Sequence, residues 1–141
     1  MSAEAERTLA IIKPDAVGKR VVGRVLAQLE EAGFEIREMR MLRLTVPAAR
    51  EFYAVHAEQP FYDSLVEFMT SDRCVPLVVE RDDAVAELRR VIGTTDPAEA
   101  ASGTVRARFG GSVERNAIHA SDSRENAARE IEFFFGPERR A

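Results

Sequence analysis

At 141 residues, with 45% hydrophobic and 31% charged residues, the chain has the size and composition of a one-domain globular protein with a real core. A net charge of −4 argues against nonspecific binding to nucleic acid or to an anionic membrane surface, and the single cysteine, Cys74, excludes an internal disulfide. There is no zinc-type Cys/His spacing, no leader-like segment and no long apolar run, so a reducing, cytoplasmic setting is expected.

Thr8-Leu9-Ala10-Ile11-Ile12 is a short apolar run stopped by Lys13-Pro14, and it reads as a buried strand. Of the 20 basic residues only Lys13 and Lys19 are lysines, so a lysine closing an apolar strand calls for a reason. Loops at strand ends carry sites, which makes Lys13 a candidate; a lysine snorkelling at the strand's edge is the structural alternative. From Val21 to Ala32 the residues Val22, Val25, Leu26 and Leu29 recur at helical spacing, and Gly33 supplies the stop. Phe34 to Leu44 reads as a second strand, with Phe34, Ile36 and, after a slip in phase, Met39 and Met41 as its apolar positions.

Thr45 has the character of a helix cap, with Pro47 in the first turn. Helical spacing would put Phe52 and His56 on one face, with Tyr53 beside it. Gln59-Pro60-Phe61-Tyr62 restarts a helix whose inner side carries Leu65, Val66, Phe68 and Met69. Val75 to Val79 is a third strand, with Pro76 near its start or on an edge. Asp82 or Asp83 caps a helix with Val85, Leu88 and Ile92 inside and Arg89 and Arg90 in its last turn, a position that also suits the helix dipole.

Gly93 to Ser112 shows little periodicity and is expected to be a long loop; it carries Thr94, Thr95, Arg106 and Arg108, the side chains an anionic ligand wants. Asn116 to His119 reads as a fourth strand. Asp122 follows as a cap, with Glu125 three residues on in a capping-box arrangement, and Ala127, Ala128, Ile131 and Phe134 pack the last helix. The order β-α-β-α-α-β-α-loop-β-α points to a four-stranded antiparallel sheet with helices packed on it, a split βαβ arrangement within one domain, 1–141.

No glycine-rich phosphate loop of either common pattern is present; Gly18-Lys19 and Gly110-Gly111 fit neither. If phosphates are bound, side chains must bind them, and Lys13, His56, Arg89, Thr95 and Arg106 are the candidates. His119, one of two histidines, could serve as nucleophile, base or structural group. As a nucleophile it needs one ring nitrogen free and the other held by an acceptor, for which Glu130 is placed two turns into the last helix.

Thr-Leu-Ala-Ile-Ile-Lys13-Pro-Asp-Ala-Val resembles the N-terminal signature of nucleoside diphosphate kinases, and Asn116-Ala-Ile-His119-Ala-Ser-Asp122-Ser resembles their active-site signature. Phe52-Tyr53-Ala-Val-His56, Pro60-Phe61 and Gly93-Thr-Thr95-Asp-Pro97 fall between them in the same order and spacing. The resemblance implies an α/β (α+β) ferredoxin-like sandwich and a ping-pong reaction. A nucleoside triphosphate, usually ATP, phosphorylates His119, and a nucleoside diphosphate then collects the phosphate. It implies Glu130 and Ser121 orienting His119, with Tyr53 hydrogen-bonding near Lys13 and His119. It implies phosphate contacts from Lys13, His56, Arg89, Thr95 and Arg106, and ribose contacts from Lys13 and Asn116. The base would stack on Phe61 with Val113 on its other side. No residue would ligate metal directly; Mg²⁺ would bridge the phosphates, with Asp122 reaching it through water. A homo-oligomer is implied, and the short C-terminus favours a tetramer over a hexamer or dimer.

Three departures stand out. Ala120 replaces the family's usual glycine after the nucleophile, at a cost on the order of 1 kcal/mol if the position needs positive φ. Ser71-Asp72-Arg73, followed by Cys74 and Pro76, replaces the usual Ser-Gly-Pro before the third strand; the third is the short C-terminus itself. Two other readings are a nucleotide sensor of the same fold, which would bind without a phosphorylated intermediate, and an RNA-binding sheet, which would need aromatic strand signatures and positive charge that this sequence lacks.

Overall fold

The structure, a computed structural model, describes residues 5–136. Residues 137–141, the short C-terminus on which the expectation of a tetramer rests, lie outside the described residues. Strands β1 (Ala5–Ile12), β2 (Glu35–Met39), β3 (Val75–Asp82) and β4 (Ile118–Ala120) form one sheet in the order β2-β3-β1-β4, with antiparallel neighbours throughout. That order and the helices between the strands are the expected ferredoxin-like arrangement.

The continuous apolar run of β1 has a simple cause: the sheet is covered on both faces. Side chains alternate across a strand. Ala10 and Ile12 therefore enter a core with α2 (Val22–Glu31) and α5 (Ala84–Ile92). Leu9 and Ile11 enter a second core with α3 (Val46–Phe52), α4 (Tyr62–Met69) and α7 (Arg124–Phe135). The same alternation on β4 sends Ile118 and Ala120 into the first core and His119 to the opposite face, across from Ile11 of β1.

Several local expectations hold. Thr45 caps α3, its hydroxyl accepting from the Ala48 N–H, and Gly33 leaves α2 with φ of 91°. Others are corrected. The second strand ends at Met39; beyond it only Leu42 makes an isolated bridge to Cys74. A bulge falls between Ile36 and Glu38, and it leaves Met39 and Met41 about half exposed rather than facing the core. The third strand runs on to Asp82, and Pro76 sits near its start in a central strand, not on an edge. The α5 cap is not an aspartate side chain: Asp83 adopts the left-handed region, and the Val85 N–H donates to the Glu6 carboxylate of β1. Ala84, not Val85, fills the inner position. Ser123, not Asp122, caps α7, accepting from the Asn126 N–H, and Ala128 is exposed.

The expected loop from Gly93 to Ser112 is partly helical. It contains a 3₁₀ turn at Pro97–Glu99 and a short helix, α6 (Val105–Phe109), capped by the Thr104 hydroxyl. Its entry depends on Gly93, whose φ is 92°. A Cβ there would meet Thr104 Oγ1 at 2.6 Å and Thr104 Cβ at 2.9 Å. Gly93→Ala is expected to lose about 2–4 kcal/mol through backbone strain and overpacking together. Denaturant titration measures it, and a loss below about 0.5 kcal/mol would show that the Thr104 turn gives way freely.

Candidate active site

Lys13 follows the last residue of β1 and precedes the short helix α1 (Pro14–Gly18). Its side chain is 7% exposed, and its Nζ donates to Asn116 Oδ1 at 2.8 Å and to the Glu114 carbonyl at 3.3 Å. The Asn116 side-chain N–H in turn donates to the Thr95 carbonyl at 2.9 Å, tying the Gly93–Thr95 corner to the turn before β4. Burial, and then the nearby Arg106 guanidinium, lower the Lys13 ammonium to about 8.

His119 projects from the middle of β4 with its side chain 22% exposed. Its Nε2 lies 2.8 Å from Glu130 Oε1, and the edge of its ring environment is Phe52, with centroids 5.6 Å apart. Glu130 comes from the buried face of α7, and the same oxygen accepts from the Ser121 hydroxyl at 2.8 Å. Burial works against the ionised form of Glu130. The hydrogen bonds from His119 and Ser121 outweigh it and hold the carboxyl below the usual range. A carboxylate acceptor at Nε2 keeps the proton on that nitrogen, which leaves the Nδ1 lone pair available.

Arg89 and Arg106 supply the cationic wall. Arg106 is 7% exposed, on α6, and donates to the Gly93 and Ile118 carbonyls at 3.0 and 2.8 Å, while its Nε has no partner among the described residues. Burial, and then the charge of Arg89, lower it to about 10. Arg89, in the last turn of α5, reaches the Ala120 carbonyl at 3.4 Å.

At the mouth, His56 and Phe61 pack with ring centroids 5.4 Å apart. Because α3 stops at Phe52 and a 3₁₀ turn follows at Ala54–His56, the expected shared face of Phe52 and His56 is broken: Phe52 packs under His119 and His56 goes to the mouth. Phe61 and Val113 are 45% and 57% exposed, open to a flat ligand. The Tyr53 ring packs edge-on against Phe52, and its hydroxyl is buried with no hydrogen-bond partner among the described residues, contrary to the expected bond near Lys13 and His119; burial raises its pKa.

The structure thus brings Lys13, Tyr53, His56, Phe61, Arg89 and Thr95 around one cleft of about 680 Å³. Arg106, Val113, Asn116, His119, Asp122 and Glu130 line the same cleft, and Ser121 lies just behind it. Glu114 and Arg129 also line it and were not foreseen. Glu114 accepts from the Ser64 hydroxyl of α4 at 2.8 and 3.1 Å, and Arg129 lies 3.5 Å from Glu130. Asp15 was missed as well: its carboxylate accepts from the Ala117 N–H at 3.0 Å. The sequence signal for it was adjacency to Lys13-Pro14. Positive φ falls at Ala117, 74°, and not at Ala120, so alanine after the nucleophile carries no backbone penalty.

Among the described residues no cluster of three or more His, Cys, Asp and Glu side chains could hold a metal. Of the cleft's carboxylates, Glu130 is engaged with His119 and Glu114 with Ser64. Asp122 stays at the edge, held ionised by the Asn126 amide first and then by Arg89. Four cations, Lys13, Arg89, Arg106 and Arg129, therefore face a space with one carboxylate left for other work. The arrangement suits a polyanion approaching a histidine with one free ring nitrogen.

A family model described as nucleoside diphosphate kinase matches residues 6–140. The chain is 56% identical to the nucleoside diphosphate kinase of Chlorobium chlorochromatii over 133 residues, 94% of this chain and 95% of the relative. It is 49% identical to that of Salinibacter ruber over 130 residues, 92% of each. The solved structure of the Aquifex aeolicus nucleoside diphosphate kinase superposes with a TM-score of 0.93 at 46% identity, covering 96% of this chain and 99% of that one. That of the Halobacterium salinarum enzyme in complex with CDP superposes with a TM-score of 0.91 at 36% identity, covering 96% and 91%.

Proposed function

The chain belongs to the nucleoside diphosphate kinase family, and from that premise we propose that this cleft moves the γ-phosphate of a nucleoside triphosphate to a nucleoside diphosphate through His119. The observation that carries the mechanism is the Nε2–Glu130 pair, which leaves the Nδ1 lone pair available on a ring that lines the cleft. In the first half-reaction Nδ1 attacks the γ-phosphorus, the N–P bond forms, the bond to the β,γ-bridging oxygen breaks, and the diphosphate leaves. The second half-reaction is the reverse with a different diphosphate. Glu130 stabilises the positive ring through Nε2–H, and Ser121 fixes the Glu130 oxygen.

Lys13, Arg89 and Arg106 would neutralise the phosphates, with Thr95 and His56 completing the contacts, and Lys13 and Asn116 would meet the ribose hydroxyls. The half-exposed Phe61 and Val113 would hold the base by its faces, which every base has, so a broad nucleotide range is expected. Mg²⁺ would accompany the phosphate chain and neutralise charge on its oxygens, and Asp122, held ionised at the cleft edge, would reach it through water. We propose that residues 1–141 act as one catalytic domain in a cytoplasmic homo-oligomer, a tetramer before a hexamer or dimer. The exposed Met39, Met41 and Val46 support self-association, and light scattering giving a stable monomer would contradict it. Among the described residues no helix is long and apolar enough to cross a membrane.

The test is incubation with Mg²⁺ and γ-labelled ATP without acceptor. An acid-labile, alkali-stable phosphate on His119 that chases onto added GDP supports the reading; nucleotide binding without label would favour a sensor.

The Lys13 ammonium, at about 8, adds a pH signature. A bound phosphate chain favours the charged form, so binding is strongest below that value and weakens as pH rises through it. At pH 8 nucleotide binding should take up about half a proton per site. Calorimetry in buffers of different ionisation enthalpy reads this directly; identical heats and equal affinities from pH 7 to 9 would remove Lys13 as the titrating group.

A further inference from the structure

The left-handed residue just before the active-site strand is held from both sides by the segment that delivers Lys13. The Ala117 carbonyl accepts from the Lys13 N–H at 2.8 Å, and the Ala117 N–H donates to Asp15 Oδ2 at 3.0 Å. Ala117 has φ of 74° and is fully buried, a conformation that an alanine keeps only when its surroundings dictate it. Two residues later stands His119, on a strand of three residues that pairs with β1 at only three positions. So short a strand does not by itself fix where its central side chain points. The turn that feeds it must contribute.

The second oxygen of Asp15, Oδ1, is buried and has no hydrogen-bond partner among the described residues. Such an atom gives up solvation without return, so the carboxylate is not placed there for its own sake. Asp15 also stands two residues from Lys13, and its charge acts on that ammonium. The charges acting on that ammonium are Arg106, which disfavours it, and Asp15 and Glu114, which favour it.

We propose that Asp15 is a positioning residue for phosphate transfer, fixing the turn at Ala117 that aims His119 and supplying counter-charge to the Lys13 ammonium. The inference rests on the reading of His119 as the phosphorylated group, and it assigns the third residue of Lys13-Pro14-Asp15 a part in the reaction without contact to substrate.

Two full-chain variants separate the two parts. In D15A the Ala117 N–H loses its acceptor, and His119 phosphorylation at saturating ATP should slow by about tenfold to a hundredfold at pH 7. In D15N the amide oxygen can still accept from Ala117, so the variant should recover most of the rate lost in D15A. With the counter-charge gone, its loss of labelling on the alkaline side should begin at lower pH than in the parent chain. A role in folding alone would not move that limb. Labelling of D15A at the parent rate overturns the proposal, and so does a D15N alkaline limb that stays in place. If D15A does not fold, the D15N profile decides. Absence of label on the parent chain would instead overturn the reading of His119, which keeps the two failures apart.

Discussion

Replacing His119 with alanine is expected to lower phosphate exchange by about 10⁴-fold or more, because the other imidazole lining the cleft, His56, packs on Phe61 and is not the one paired with Glu130. The nucleotide should still bind, since the cationic wall of Lys13, Arg89 and Arg106 does not depend on the imidazole. What changes structurally is the state of Glu130. It keeps the Ser121 hydroxyl at 2.8 Å and Arg129 at 3.5 Å but loses its partner at Nε2. A buried carboxylate deprived of one donor costs about 1–3 kcal/mol. The sign follows from its pKa direction. Glu130 is held below its ordinary range, so its contribution to stability is present above that range and is lost as pH falls through the folded value. The variant should therefore lose stability at neutral pH and differ least from the parent in acid. A coupled exchange assay with binding calorimetry reads the first effect and denaturation the second. Full exchange activity in the variant would sink the two-step mechanism.

How much of this was legible beforehand follows the range of the forces involved. Elements set by neighbouring residues read correctly: the apolar run into Lys13, the periodicity of α2, the Thr45 cap. Glu130 could be offered as the acceptor for His119 because a strand followed by a capped helix can bring residues eleven apart into reach, but the face of α7 it takes was not legible locally and the pairing rested on the family resemblance. What failed was set by distant chain. The α5 cap comes from Glu6 on another strand, so a pair of aspartates in the sequence looked sufficient. The bulge after Ile36 turned Met39 and Met41 outward, because register with β3 outranks local phase. Helix α6 is five residues long, too short for periodicity to show, although Thr104 is the cap type that begins it. The positive φ at Ala117 was not legible because no local preference marks it; the Lys13–Asp15 segment imposes it from a hundred residues away.

Lys13→Met is expected to lower kcat/KM by about 10²–10³-fold, the usual cost of losing one preorganised charge at a phosphate, while leaving the protein more stable. A near-isosteric side chain keeps the packing of a residue that is 7% exposed. The ammonium, however, falls from 10.5 to about 8 on folding, so burying it charged costs on the order of 3 kcal/mol. Below pH 8 both folded and unfolded chains carry the charge, and the folded one bears the full penalty. Between about 8 and 10.5 the unfolded chain holds the extra proton, so the parent gains stability as pH rises. Against the relief stand Asn116 Oδ1 and the Glu114 carbonyl, which lose a donor worth about 1 kcal/mol each. The balance is a gain of about 1 kcal/mol at pH 7. It should shrink and reverse toward pH 10, where the parent lysine is neutral in the fold but still serves as a donor. Denaturation at both pH values tests the crossing; equal losses at both would mean that the buried charge carries no penalty. A residue that costs the fold free energy at the pH where it works is kept for the ligand it meets, and that meeting is what the low Lys13 pKa records.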